Sequence, residues 1–108
     1  MNPTKAEKAY WDKLANIVGC IACRMDGNIN HWVSIHHCSG RTKLGCHSKV
    51  ISLCASHHQD GTGNNPTAIA IHPYKKRFEQ RYGTEEELMF LCNKIIEDES
   101  NGNYTNIV

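Results

Sequence analysis

The sequence predicts a small α+β domain that is held together by a bound metal ion. Three observations indicate this: the chain has 108 residues, it contains 6 cysteines and 7 histidines, and its apolar spacing changes between helical and alternating patterns. A domain of this size buries only about two-thirds of its unfolded surface. A metal ion that joins distant residues would therefore add appreciably to its stability.

The composition excludes several classes of protein. The 12 basic residues nearly balance the 11 acidic ones, so charge neither requires nor excludes a nucleic-acid partner. No apolar run approaches the roughly 18 residues that cross a bilayer. No secretion signal opens the chain, so we expect a soluble, cytoplasmic protein. Because cytosolic thiols stay reduced, metal binding explains the cysteines better than disulfides do.

The N-terminal segment is predicted to be a helix. Thr4 and Glu7 can form a capping box, and apolar residues then recur at helical spacing for about three turns. Gly19 is a natural stop for this helix. The Cys-x-x-Cys pair that follows, Cys20 and Cys23, is expected to form a tight knuckle.

Two short strands are predicted in the middle of the chain. Residues 32–37 alternate weakly and are rich in β-branched side chains, and residues 50–53 form a second short apolar run. A basic loop with glycines joins the two strands. A helix is expected to begin at Cys54 and to end near Gln59.

Two further helices are predicted after an irregular segment that is rich in glycine and asparagine. Pro73 can lie in the first turn of the first helix, which ends at Gly83, and the second helix begins with a capping box at Thr84. We expect one domain over residues 1–99 and a flexible tail over residues 100–108. The aromatic residues are expected to pack in the core or against helices rather than to stack on bases: Trp11, Trp32, Phe78 and the tyrosines.

Four residues have the spacing of a structural zinc site. Two chelating pairs, each with two intervening residues, supply tetrahedral ligands in many small domains, and here they are Cys20, Cys23, Cys54 and His57. His58 projects about 100° away from its neighbour on a helix, so it can serve a second site. If the first strand packs on this helix, His36 and His58 can chelate another divalent ion. The alternative is a set of buried, reduced thiols with an incidental histidine.

These motifs resemble the phage recombination-enhancement nuclease (Ref) family of RecA-dependent HNH endonucleases, which have a ββα-metal or His-Me finger core. The resemblance covers about residues 19–59 and rests on five motifs in the same order: Gly19-Cys-Ile-Ala-Cys23, Val33-Ser-Ile-His-His37, Ser39-Gly-Arg-Thr42, Gly45-Cys-His47 and Leu53-Cys-Ala-Ser-His-His-Gln59. It implies a ββα-metal core with a structural zinc knuckle and flanking helices.

The resemblance also implies roles for individual histidines. His37 corresponds to the general base, and His36, which precedes it, corresponds to a metal ligand. His58 is the closing ligand of the motif. His72 precedes a basic, aromatic helix, as a further histidine does in phage relatives, and is the candidate third ligand. The implied catalytic ion is Mg²⁺ or Mn²⁺. Because imidazole also binds Zn²⁺ well, Zn²⁺ could replace it.

One part of the HNH motif is absent. The asparagine that orients the base would fall near Lys49, where the sequence has none. His47, Ser48 or a backbone carbonyl are the alternatives, and we favour His47. Cys38 and Cys92 are expected to be buried as small hydrophobic side chains. A second structural zinc on Cys38, Cys46 and His47 is an alternative use of these residues.

Basic side chains near the motif are candidates for contact with DNA phosphates. Arg41 can bind two phosphate oxygens with its planar guanidinium. Five others can hold neighbouring phosphates without reading bases: Lys43, Lys49, Lys75, Lys76 and Arg77. For each of them, a solvated surface charge is the alternative.

The function expected from this resemblance is metal-dependent hydrolysis of DNA. The enzyme would cut single-stranded or duplex DNA together with RecA filaments, during phage or prophage recombination in the bacterial cytoplasm. One alternative is a zinc-supported module that binds DNA or protein without nuclease activity. Another is a structural interaction protein with one zinc. The surplus histidines favour the enzyme, because a structural site needs only four ligands.

Overall fold

The computed structural model describes residues 2–38, 40, 43–100 and 102 of the chain. It has the predicted small α+β class, with helices packed on a two-stranded antiparallel sheet. Its elements are, in order, α1 (Lys5–Lys13), α2 (Ile21–Met25), β1 (Val33–His37), β2 (Val50–Cys54), α3 (Ala55–His58), α4 (Ile71–Tyr82) and α5 (Glu85–Ser100). Within these residues, no helix is both long and apolar enough to span a membrane.

The predicted first helix is present and begins with its capping box. The Thr4 amide donates to Glu7 Oε1 at 2.7 Å, and the Glu7 amide donates to Thr4 Oγ1 at 3.1 Å. After α1 the chain continues as a π-helical segment, Leu14–Val18, and stops at Gly19. Gly19 has a φ of 70°, and a Cβ atom there would lie 2.6 Å from the Asn30 carbonyl oxygen. The turn therefore requires glycine.

Both predicted strands form, and they pair with each other. Val33 lies opposite Cys54, and His37 lies opposite Val50. Every residue of β2 is buried, with α2, α3 and α5 packed around it. Because α3 follows β2 without a linker, its histidines are held close to β1.

The segment after α3 folds back and brings α4 to the hairpin. Gln59 forms a parallel bridge with His72, and the Asp60 amide donates to the His72 carbonyl oxygen at 2.8 Å. As predicted, Pro73 lies in the first turn of this helix, since α4 begins at Ile71. His72 has a φ of −109° and a ψ of 114°, outside the helical region, so the first turn of α4 is irregular.

The last helix, α5, begins with the second predicted capping box. The Thr84 amide donates to Glu87 Oε1 at 2.9 Å, and the Glu87 amide donates to Thr84 Oγ1 at 3.1 Å. The helix continues to Ser100, into the segment predicted to be a flexible tail. Most of that segment, residues 101 and 103–108, lies outside the described residues.

The core forms where β2, α4, α5 and the end of the N-terminal helix meet. Its largest fully buried side chains include Leu14, Ile51 and Phe78. Trp11 is half-buried and packs against this core, as predicted. The prediction for Trp32 is wrong, since its side chain is 88% exposed. Trp32 precedes the first residue pair of the hairpin and so lies beyond the covered part of the sheet.

The tyrosines divide between core and surface. Tyr82 is buried and Tyr10 packs against the core. Tyr74, by contrast, is 40% exposed in the irregular first turn of α4 and lies outside the core. Tyr104 lies outside the described residues.

Candidate metal centres and catalytic histidines

The first candidate metal centre consists of the four predicted zinc ligands, which the structure brings together. They come from the start of α2, the end of β2, and α3: Cys20, Cys23, Cys54 and His57. All four are buried, and their ligand atoms lie within 4.8 Å of one another. We call this set the cysteine-histidine cluster.

The distances within the cysteine-histidine cluster fit one tetrahedral ion. With Zn–S bonds of about 2.3 Å and a Zn–N bond of about 2.0 Å, the sulfurs should be about 3.8 Å apart and the nitrogen about 3.5 Å from each sulfur. The sulfurs of Cys23 and Cys54 are 3.7 Å apart. His57 Nδ1 lies 3.2 to 3.6 Å from the three sulfurs. The donor set and its spacing therefore suit zinc.

The thiols of this cluster also favour a bound cation. A hydrogen bond from Cys20 is the main reason that the pKa of Cys54 is lowered to about 3. Burial opposes this effect and His57 adds to it. A hydrogen bond to Cys54 and burial together raise the pKa of Cys20. Burial raises the pKa of Cys23. A bound cation would stabilise the thiolate form of all three cysteines.

Side chains behind the cluster orient the histidine ligand. Nε2 of His57 lies 3.0 Å from the Tyr82 hydroxyl, which donates to Asp26 Oδ2 at 2.6 Å. Arg81 in turn donates to Asp26 Oδ1 at 2.8 Å. Burial raises the pKa of Tyr82, so its hydroxyl stays protonated. These hydrogen bonds engage Nε2 of His57, so its Nδ1 faces the sulfurs. The sequence analysis missed Tyr82 and Asp26, because nothing in their local pattern marks them.

The second candidate centre is formed by His36, His58 and His72, and we call it the three-histidine cluster. Their ligand nitrogens lie within 4.8 Å of one another. His36 Nδ1 and His58 Nε2 are 3.4 Å apart. Two nitrogens bound to one ion at about 2.0 to 2.1 Å lie about 2.9 to 3.4 Å apart, depending on the geometry. The observed spacing therefore suits a shared ion.

Hydrogen bonds determine which nitrogens face this centre. His36 Nε2 lies 2.7 Å from Glu85 Oε2, and because a carboxylate only accepts, His36 is protonated on Nε2. The Ser34 hydroxyl donates to the Leu53 carbonyl oxygen at 3.5 Å and lies 2.7 Å from His58 Nδ1. That hydroxyl therefore accepts from Nδ1–H. The lone pairs of His36 Nδ1 and His58 Nε2 then point toward each other, and a cation would relieve this contact.

The protonation state of His36 agrees with metal binding. The residue is buried. Burial, together with the nearby His72 and Lys75, lowers its pKa although Glu85 acts in the opposite direction, so the ring is neutral and its lone pair is available. The sequence analysis missed Glu85, which enters from the first residue of α5.

The predicted base, His37, is paired with His47. Their rings are joined by a 3.0 Å contact between His37 Nε2 and His47 Nδ1. Trp11 lies edge-on to both rings, and its Nε1–H donates to the His47 carbonyl oxygen at 2.8 Å. Ser48, the other side chain considered for orienting the base, donates its hydroxyl to the Gly45 carbonyl oxygen instead.

His37 and the three-histidine cluster line one cavity of about 490 Å³. Its lining includes side chains from β1, α3, α4 and α5, among them His36, His37, His58, His72, Lys75 and Glu85. The cavity therefore combines the three-histidine cluster with the candidate base. Such a site can hold a cation beside a proton acceptor.

The predicted phosphate contacts have different positions. Arg41 lies outside the described residues. Lys75 lines the cavity, and its Nζ pairs with Glu85 Oε1 at 2.9 Å. The other four are exposed on the surface: Lys43, Lys49, Lys76 and Arg77.

The remaining cysteines do not form the second structural zinc site that we considered. Among the described residues, the groups suited to hold a metal include neither Cys46 nor His47. Cys46 is fully buried, and the His47 ring contacts His37. Cys38 instead lies close to His36 and Glu85. Cys92 is fully buried, as predicted, whereas Cys38 is only half-buried.

Comparison with known protein families places most of the chain in one alignment. The family model described as recombination enhancement, RecA-dependent nuclease matches residues 3–97. The match includes both clusters, the His37–His47 pair and Glu85, and it extends far beyond the motifs at residues 19–59.

Proposed function

Because the chain belongs to the recombination-enhancement, RecA-dependent nuclease family, we propose that it is a metal-dependent DNA endonuclease with an HNH, or ββα-metal, core. The observation that carries this proposal is the single cavity that holds both the three-histidine cluster and His37. The order of β1, β2 and α3 is that of a ββα unit, which supports the HNH type.

His37 would act as the general base in this reaction. An imidazole with a pKa near neutrality can remove a proton from water at physiological pH. Contact with His47 Nδ1 at 3.0 Å holds the His37 ring through Nε2. His47 would then do the work of the asparagine in other HNH enzymes.

The three-histidine cluster would hold the catalytic ion through His36, His58 and His72. When bound, Mg²⁺, Mn²⁺ or Zn²⁺ would neutralise the charge that develops on the phosphoryl group and on the leaving 3′ oxygen. Lys75, at the edge of the cavity, would attract the phosphate backbone together with the exposed basic residues and Arg41. These contacts would hold DNA without reading its sequence.

The cysteine-histidine cluster would have a structural role. Zinc there would join α2 to the end of β2 and to α3, which also carries His58 of the other cluster. Zinc binding in small domains contributes on the order of 10 kcal/mol. Loss of this zinc would therefore disorder the catalytic cavity as well.

A cleavage assay tests the proposal. The zinc-loaded wild type and His37→Ala would be incubated with supercoiled plasmid and with single-stranded DNA, in Mg²⁺ or Mn²⁺, with and without RecA filaments. His31→Ala is the matched control, since His31 is exposed and lies outside the cavity. We expect wild type and His31→Ala to cut and His37→Ala to be inactive. A folded wild type that binds DNA but never cuts it would instead support a binding module.

A further inference from the structure

We infer that Glu85 is a positioning residue that holds His36 in the tautomer able to bind the catalytic ion. The inference rests on the metal centre of the proposed function, although it does not require that the protein cut DNA. Glu85 lies far outside the HNH-like segment, at the start of α5. The proposal therefore gives the C-terminal helices a part in the site.

The contact between the two side chains is short and shielded from water. Glu85 Oε2 lies 2.7 Å from His36 Nε2, and the two side chains are 12% and 6% exposed, respectively. A neutral imidazole carries one proton, on either of its nitrogens. A carboxylate against Nε2 keeps the proton there and leaves the Nδ1 lone pair for a metal. With the proton on Nδ1, His36 could not be a ligand of the three-histidine cluster.

Lys75 keeps Glu85 in the form that this role requires. Its Nζ lies 2.9 Å from the second carboxylate oxygen, Oε1. One carboxylate oxygen therefore accepts from an ammonium group and the other from the imidazole N–H of His36, an arrangement that suits an ionised carboxylate. Glu85 thus stays an acceptor for both neighbours. Lys75 acts here through the carboxylate, in addition to any contact with DNA.

A different arrangement of the same residues makes a competing prediction. Cys38, His36 and Glu85 place one ligand atom each within 4.8 Å of one another. If Glu85 were itself a metal ligand with Cys38, removal of the Cys38 sulfur would weaken metal binding. If Glu85 only positions His36, Cys38→Ala should leave the affinity unchanged.

The test compares Glu85→Ala, Glu85→Gln and Cys38→Ala with wild type, all carrying their structural zinc. Glu86→Ala is the matched control, because it removes an exposed carboxylate from the same helical turn. The affinity for Mn²⁺ is measured by titration calorimetry. The tautomer of His36 is measured, without added Mn²⁺, from its two ¹⁵N chemical shifts.

We expect wild type to carry the His36 proton on Nε2. In Glu85→Ala a population with the proton on Nδ1 should appear, and Mn²⁺ affinity should fall about 10- to 100-fold, as for other residues that orient a histidine ligand. Glu85→Gln, which retains a carbonyl acceptor, should lose less, and Glu86→Ala should match wild type. These readouts would succeed even if the wild type did not cut DNA, so the nuclease proposal can fail separately.

Two results would overturn the inference. One is a wild type in which the His36 proton resides on Nδ1, or a Glu85→Ala protein with the same tautomer and the same Mn²⁺ affinity. The other is a loss of affinity in Cys38→Ala, which would make Glu85 a ligand. A variant that has unfolded would lose its structural zinc, so the zinc content identifies it. Glu85→Gln provides a second check, because it changes the carboxylate but keeps a side chain of the same size.

Discussion

His37 Nε2 lies 3.0 Å from His47 Nδ1, although His37 ends β1 and His47 lies in a 3₁₀ turn after a loop. The donation of Trp11 Nε1–H to the His47 carbonyl oxygen fixes that turn against α1. An imidazole that bonds through one nitrogen presents the other in a defined direction. In the proposed nuclease, this pair would take the place of the base and its orienting asparagine in an HNH site.

Removal of the orienting histidine should slow cleavage without affecting metal binding. In His47→Ala the His37 ring loses its contact at Nε2, so we expect the nicking rate to fall by about 10- to 100-fold. This is less than the loss of a general base itself, which costs about 10²- to 10⁴-fold. The rate is measured by plasmid nicking at saturating Mn²⁺.

Ser48→Ala is the control for this experiment, because the Ser48 hydroxyl bonds to the Gly45 carbonyl oxygen and not to His37. It should cut at the wild-type rate. A normal rate in His47→Ala together with a slow Ser48→Ala would assign the orienting role to the serine.

Loss of the Ser34 hydroxyl should weaken the three-histidine cluster through His58. The Ser34 oxygen lies 2.7 Å from His58 Nδ1 and so leaves Nε2 to face the metal. We expect Ser34→Ala to reduce Mn²⁺ affinity about 10-fold, at the lower end for such contacts. Calorimetry measures this, with Thr67→Ala as the control, since Thr67 is exposed and lies outside the cavity. Equal affinities in the two variants would contradict the prediction.

A change in the cysteine-histidine cluster should affect the whole fold. In Cys23→Ser the zinc site loses one thiolate ligand and so binds zinc more weakly. Because zinc binding contributes on the order of 10 kcal/mol to the stability of small zinc domains, this weakening should destabilise the fold. We expect loss of bound zinc and of cooperative thermal unfolding, measured by metal analysis and circular dichroism.

Cys92→Ala is the matched control for that variant. Cys92 is fully buried but lies outside the cluster, so the change should cost about 1 kcal/mol of packing and keep the zinc. A Cys23→Ser protein that binds zinc and unfolds like Cys92→Ala would exclude the cluster as a structural site.

Removal of the Tyr82 hydroxyl should weaken zinc binding while the fold remains. Tyr82→Phe keeps the packed ring but leaves His57 Nε2 without its 3.0 Å partner. We expect zinc affinity, measured by competition with a chelator, to fall about 10- to 100-fold. Tyr74→Phe serves as the control, because the Tyr74 side chain is partly exposed and lies outside the cluster. An unchanged affinity in Tyr82→Phe would mean that Asp26 alone orients the ligand.

Local patterns were sufficient to predict much of the fold. The two capping boxes, the stop at Gly19 and both strands depend on neighbours within a few residues, and they form where they were expected. The pairs around Cys20 and Cys54 were also recognisable, because two ligands separated by two residues can reach one ion from a single turn. The irregular first turn of α4 could not be predicted in this way, because the distant bridge between Gln59 and His72 shapes it.

By itself, the sequence determined which residues can bind a metal or accept a proton, since these properties belong to the side chains and their local spacing. Only the tertiary structure decided which nitrogen of each histidine faces the cavity. That choice depends on partners from distant elements: Glu85 for His36, Tyr82 for His57 and His47 for His37. An imidazole has two chemically similar nitrogens, so its role is set by whichever group binds the other one, and that group is brought there by packing.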